Sequence, residues 1–350
     1  MRKRCGIFDT NYREIMGIFR TRLHWISLCC FIVFLFIVFP FVANLGILTA
    51  VTTIAITIVG AVGLNIVTGF CGQIHLGQAG FICLGGYISA ILMYHLHFPW
   101  LLTLPFSVIG CGIVALIFGL PSLRIKGFYI AMTTLASYFV ITWVMMRGGT
   151  ITGGSNGIQI PLTTVFGILV DTPIKIYWLV LTFTILMVAI AMNLMRTRTG
   201  RAFVAIRDND IVAEHMGINI FKYKVIAFII AASYGGIAGS LLVFNYGAIS
   251  QEQFSFMMNV WYLAYIVVGG MSSIPGTIFG VIFLKLLEYY VVIFGNLLGN
   301  IFPVLGGSGA ALLGISFGVI VVVFLIYEPR GLYHKWDTIK NSMRIWPFPY

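Results

Sequence analysis

Charge is what this sequence has least of. Only 9% of its 350 residues are Asp, Glu, Lys or Arg, against about 25% in ordinary soluble domains. Acids are scarcer than bases, 10 against 21, and residues 23–123 contain none of the four. A stretch of that length without a charge does not form the core of a water-soluble domain. At about 20 apolar residues per bilayer crossing it has room for about four crossings. With 60% hydrophobic residues and a mean hydropathy of +1.01, the chain reads as an all-α polytopic membrane protein.

Other absences narrow the function. The six cysteines, at positions 5, 29, 30, 71, 83 and 111, show no C-x-x-C spacing. That argues against a disulfide framework or a metal centre and for small apolar filler. His95 and His97 have no acidic or Cys partner nearby, so no metal or other cofactor is expected. No G-x-x-x-x-G-K-[ST] occurs, so energy from ATP would have to come from another chain. The apolar segments lack paired carboxylates and a nucleophile constellation, which argues against a membrane enzyme. The first five of them hold no acid at all, which argues against an ion-coupled secondary transporter working alone.

Apolar runs and their breakers predict about ten transmembrane helices, at 25–43, 45–68, 79–95, 100–120, 127–146, 176–195, 225–246, 259–271, 275–297 and 310–327. The basic start followed by an apolar run resembles a signal peptide, but the basic part is long and no small-x-small cleavage site follows. It reads as an uncleaved first span, and Cys5 has no lipidation context. This divides the chain into a cytoplasmic segment 1–24, a transmembrane domain 25–327 and a cytoplasmic tail 328–350. Basic residues favour the cytoplasmic side. With both termini there, 18 of the 21 Lys and Arg fall in cytoplasmic segments and only Arg147 and Lys175 outside, with Lys285 inside a span. The net charge of +11 therefore reads as membrane sidedness and not as nucleic-acid binding. Five helices precede the sixth span, and an odd number per half makes the halves an inverted, five-plus-five repeat. "GQIHLGQAGF" (72–81) set against "GAISQEQFSF" (247–256) matches at Gly, Ile, Gln and Phe.

Where charge does occur, it is concentrated. Residues 196–224 hold six bases and three acids. Apolar Phe203, Ile206, Ile211, Val212 and Met216 alternate there with Arg201, Arg207, Asp208, Asp210 and Glu214. Asp208 or Asp210 could N-cap a short helix that Gly217 stops. Either the segment is a solvated connection or a helix lying on lipid headgroups, or it docks a soluble partner. Three acids argue against simple lipid binding.

"GRAFVAIRDNDIVAEHMGINIFKYK" (200–224) resembles the cytoplasmic coupling loop of permeases in binding-protein-dependent ABC importers. The likeness is to the branched-chain amino acid permease family, and within it the Liv-M-type subunit. "GLNIVTGFCGQIHLGQAGF" (63–81), "GFYIAMTTLA" (127–136), "TGGSNGI" (152–158), "VVGGMSSIPGTIFG" (267–280) and "EPRGL" (328–332) follow in the family's order. His75 stands where the family has Ser, and Ser272 where it has Gly. The resemblance implies a multi-pass protein of the bacterial inner membrane that forms the pathway for branched-chain amino acids. Its implied partners are cytoplasmic ATP-binding subunits, a second homologous permease and an extracytoplasmic solute-binding protein facing loop 147–175. A urea or short-amide importer, whose permeases share these motifs, is the alternative. Gly200, Arg201, Ala205, Glu214 and Gly217 match the family's coupling loop. Phe203 and Ile206 are added as apolar anchors, because buried apolar groups supply most docking energy.

Polar groups at membrane depth are the candidates for a transport pathway. They are Asn65, Thr68, Gln73, His75 and Gln78 near the first Gly-rich break, and Thr133, Thr134 and Ser137 on the fifth span. Ser and Thr in spans also commonly bond the preceding turn. Lys285 and Glu288 share one helix face and are expected to pair. Trp143, Trp261 and Tyr262 read as interfacial anchors, and the glycine-rich loop 147–175 as a flexible connector.

Overall fold

The computed structural model describes residues 22–122, 129–160, 164–165, 168–170, 172–301, 309–328 and 331–345. Most of the expected N-terminal segment 1–24, the start of the 127–136 motif and Pro329–Arg330 lie outside the described residues.

Uninterrupted apolar stretches become helices because lipid offers backbone groups no partner but their own chain. Helix α1 (22–42) contains a π-helical turn at Phe34–Val38. Helix α2 (Leu45–Asn65) also runs on into a π-helical turn, Ile66–Phe70. Helices α3 (Gln78–His95), α4 (Trp100–Ser122), α5 (Tyr129–Arg147) and α6 (Pro173–Arg196) follow. Two short helices, α7 (Arg198–Asp208) and α8 (Asp210–His215), then lead into α9 (Ile220–Tyr246). The chain continues through α10 (Phe256–Gly269), α11 (Ile274–Ile301), α12 (Gly309–Tyr327) and α13 (Gly331–Ile345).

Among the described residues, helix covers most of each of the ten expected apolar stretches. Six helices among the described residues have the length and apolarity to cross a membrane: Leu45–Phe70, Trp100–Ser122, Tyr129–Arg147, Pro173–Arg196, Ile220–Tyr246 and part of α11, Ile274–Ile293. Helix α10 is only 14 residues long, about 21 Å at 1.5 Å per residue, shorter than a hydrocarbon core of about 30 Å.

Helices α2 and α9 form the centre. Each is 61% buried over its most apolar window, against 28% for α4 and α6. Helix α9 packs on α2, α3 and α4, while α2 also packs on α6, α10 and α11. Small residues permit this crowding, as in other membrane bundles. A Cβ on Gly85 of α3 would lie 2.3 Å from Cα of Gly236 in α9, so the two backbones touch where they cross.

The described parts of loop 147–175 are tied to the bundle and to each other by hydrogen bonds, where the sequence predicts a flexible connector. Strand β1 (Ile158–Gln159) pairs antiparallel with β4 (Ala248–Ile249), just after α9. Ile160 N donates to the Gly247 carbonyl at 2.9 Å, and His95 Nε2 lies 3.2 Å from the Ile151 carbonyl. A second two-residue pair joins β2 (Thr164–Val165) to β3 (Ile168–Leu169). These short strands are the departure from an all-α chain. Tyr262 is also not an interfacial anchor: it is 3% exposed, with its ring against Gly60.

Candidate functional site

The charged segment folds as a helix pair locked to the bundle along one side. Thr197 caps α7, its side chain accepting from Gly200 N. Gly200 is required by contact, since a Cβ there would lie 2.5 Å from the Met195 backbone at the end of α6. The cap of α8 is Asn209, whose Oδ1 accepts from Val212 N at 3.1 Å, and neither Asp208 nor Asp210 fills that position. Gly217 stops α8 with φ +82, and its N–H donates to the Glu214 carbonyl at 2.9 Å.

The orientation of this pair corrects the expected anchors. Phe203 is 0% exposed and Ile206 3%. Both belong to the apolar core, with Phe203 edge-on to Tyr223. Along α7 the apolar residues at 202, 203 and 206 make one stripe, and that stripe faces the bundle. Ala205 is half-buried, while Arg201 and Glu214 are exposed. The apolar surface left outward belongs to α8 and its C-terminus: Ile211 at 63%, Val212 at 55% and Met216 at 79% exposed.

Arg207 connects this pair to the interrupted helices. Its guanidinium donates to the Ser272 hydroxyl and also binds Asp208. Ser272 lies between α10 and α11 with φ +63. Its Oγ donates to the Gly69 carbonyl at 2.6 Å, and its N–H to Asn65 Oδ1 at 3.1 Å. Asn65 Nδ2 in turn donates to Thr277 Oγ1 at 2.7 Å and to the Ser273 carbonyl at 3.1 Å. Gly69 makes room for this junction, because a Cβ there would collide with the Asn65 side chain and the Ser272 N–H. The π-helical end of α2, the α10–α11 turn and α7 thus share one polar junction.

The remaining pathway candidates divide by environment. Thr133 Oγ1 donates to the Tyr129 and Ile130 carbonyls, and Ser137 Oγ to the Thr134 carbonyl, which is the ordinary back-bonding of such residues in helices. Thr134 also accepts from Leu76 N at 3.0 Å, holding the break between α2 and α3. Gln73 is half-buried and reaches the Cys71 carbonyl. Gln78, at the start of α3, donates to the Gly60 carbonyl at 3.0 Å. His75 is buried with its ring between Phe81 and Phe228. Thr68 Oγ1, both His75 nitrogens and Gln78 Oε1 are buried without a hydrogen-bond partner among the described residues.

Sequence reasoning missed Asn259, which belongs with them. Its Oδ1 accepts from Ala79 N at 2.8 Å, and its Nδ2 has no protein partner. An Asn three residues into an otherwise apolar helix was the available signal. Buried polar groups are normally satisfied, and His75, Gln78 and Asn259 bring unsatisfied ones together around the start of α3, where Asn259 binds Ala79 N.

Residues 46–324 match the family model described as branched-chain amino acid transport system / permease component. The chain is 28% identical to the high-affinity branched-chain amino acid transport system permease protein LivM of Escherichia coli, over 85% of this chain and 72% of that protein. It is 26% identical to the LivH permease protein of Salmonella typhimurium, over 65% of this chain and 79% of that protein. It is 27% identical to the probable LivM permease of Methanocaldococcus jannaschii, over 68% of this chain and 69% of that protein. The matched region takes in the central helices, the helix pair and the Ser272 junction, and the chain belongs to the branched-chain amino acid transport permease family.

Proposed function

We propose that this chain is the membrane-spanning permease subunit of an ABC importer in the bacterial inner membrane. It carries branched-chain amino acids and draws on ATP hydrolysed by separate cytoplasmic subunits. The observation that carries this reading is the split character of the helix pair. Phe203 and Ile206 fasten it to the bundle, while Ile211, Val212 and Met216 project from it. An element fixed on one side and apolar on the other suits the transfer of a partner's movement into the membrane. The relatives named as branched-chain amino acid permeases supply the cargo.

In this reading ten helices traverse the membrane, with both termini and residues 196–224 cytoplasmic. Several features support an inverted five-plus-five repeat. Gly72 follows α2 with φ +71, and Gly247 follows α9 with φ +68, at the positions aligned from sequence. Helix α2 packs on α10 and α11 as α9 packs on α3 and α4. Gly72 lies against Arg207, whereas Gly247 lies beside the β1–β4 pair at the other end of α9. At 27 residues, α9 separates those two sites by about 40 Å. The β1–β4 side would receive the solute-binding protein, and a second homologous permease would complete the pathway.

The test is reconstitution in proteoliposomes. Uptake of leucine is expected only when ATPase subunits, ATP and the binding protein are all supplied. Accumulation driven by an ion gradient alone, without an ATPase, would overturn the proposal.

A further inference from the structure

A cavity of about 390 Å3 opens between α2, α9, α10 and α11. Gln253 and Ser255, from the segment after β4, border it, so it lies toward the end of the bundle opposite α7 and α8. Its wall carries Lys285 and Glu288, with Nζ 2.7 Å from Oε2. Trp261, Tyr262 and Tyr265 of α10 and Thr57 of α2 complete that side. The volume is within the roughly 300–1,000 Å3 common for small-molecule sites.

A full ion pair is an expensive way to hold one apolar helix together. Charges within spans are costly and tend to mark function, and apolar residues of similar volume often stabilise as well or better. This pair is also only part-withdrawn, with side chains 21% and 33% exposed, so both heads reach the cavity. It therefore presents both signs of charge in one wall, beside aromatic rings.

We propose that this cavity is a zwitterion site in which Lys285 receives the carboxylate, and Glu288 the ammonium, of a free amino acid on its way through the permease. The inference rests on the preceding reading that the cargo is an amino acid. Opening the Lys285–Glu288 pair onto such a ligand replaces one ion pair with two and leaves no charge unmatched. A simple anion or cation leaves one member of the pair without a partner, and a neutral amide matches neither. The aromatic faces of Trp261 and Tyr265 suit an ammonium, and Ile56 and Leu242 in the same wall offer apolar contact to an aliphatic side chain.

The experiment uses the complete importer in proteoliposomes and compares wild type with Lys285→Met, Glu288→Gln and the apolar double variant Lys285→Leu/Glu288→Leu. Each is expected to raise the KM for leucine uptake at least tenfold, with retention of the ATPase subunits on the purified permease as the check on assembly. If the pair is only a clip, the double variant keeps the fold and transports leucine like wild type, and that result overturns the site. A second measurement avoids altering the pair. Asn245→Cys lines the cavity, and its reaction with a water-soluble thiol reagent, corrected for the wild-type background, should be slowed by millimolar leucine. It should not be slowed by 4-methylpentanoate or 3-methylbutylamine, which carry one charge each. Equal labelling with and without leucine overturns the site even if the substituted pair fails to assemble. Absence of leucine uptake by wild type would instead refute the cargo reading beneath it.

Discussion

Arg207, in the helix pair fastened to the bundle through Phe203 and Ile206, hydrogen-bonds Ser272, 65 positions further along the chain, at the turn between two interrupted helices. Ser272 holds φ +63 there, a conformation that costs an L-residue about 1–2 kcal/mol. Its hydroxyl bonds to Arg207 and to the Gly69 carbonyl offset that cost, at about 0.5–1.5 kcal/mol for a typical net hydrogen bond and more when one partner is charged. A Gly at this position would relax the backbone but remove the hydroxyl link.

Ser272→Gly should therefore leave stability within about 1 kcal/mol of wild type, since relief of the left-handed strain and loss of the hydroxyl bonds nearly cancel. Transport per ATP hydrolysed should fall, because Arg207 loses its hydrogen-bonded link through the Ser272 hydroxyl to the Gly69 carbonyl. Arg207→Ala should have the same effect, and the double variant should be no worse than either single one. Additive losses in a double-mutant cycle would show that the two residues act separately.

Phe203→Ala and Met216→Ala should separate folding from docking. Removing the buried Phe203 ring leaves a core cavity and should cost about 3–5 kcal/mol of stability, read as a lower unfolding temperature of the purified permease. Met216→Ala removes an exposed side chain, so unfolding should be unchanged. Retention of ATPase subunits should drop about tenfold, which corresponds to roughly 1.4 kcal/mol. Wild-type retention in an Ile211→Ala/Met216→Ala double variant would exclude the exposed face of α8 as the docking surface.

Gly85→Ala should destabilise the bundle by about 1–3 kcal/mol, the usual range for overpacking, because the new methyl group meets the Gly236 backbone at 2.3 Å. Gly46→Ala is the matched control. Among the described residues nothing lies within 4 Å of its Cβ position, and Ala is better in a helix by up to about 1 kcal/mol. Thermal unfolding of both variants in the same detergent reads the difference, and equal shifts would mean that the α3–α9 crossing is not a tight contact.

Sidedness can be read by labelling single introduced cysteines at Ile151 and His215 with a membrane-impermeant reagent, corrected for the wild-type background. Ile151 should react from outside intact cells and His215 only after permeabilisation. Reaction of His215 from outside would invert the topology and remove the coupling role of residues 196–224.

The membrane class, the helical stretches and the distinctness of residues 196–224 were determined by the sequence alone, because each depends on local composition. Residues 23–123 without a charge can be stable only in lipid, and Gly217 ends the second short helix of the charged segment whatever packs beside it. Direction in space was decided by the tertiary structure. The alternation of Phe203 and Ile206 with charged residues shows that α7 has an apolar stripe, but two surfaces compete for it, a partner and the protein's own bundle. Only the approach of α7 to the bundle settles the competition, and it leaves Ile211, Val212 and Met216 outward. Asn65, Ser272 and Arg207 are likewise distant in sequence, and no period or spacing links them. They meet because Gly69 has no side chain to keep Asn65 and the α10–α11 turn apart. Lys285 and Glu288 share a helix face by their spacing, yet the cavity in front of them exists only because residues of α2, α9 and α10, distant in sequence, line its other sides.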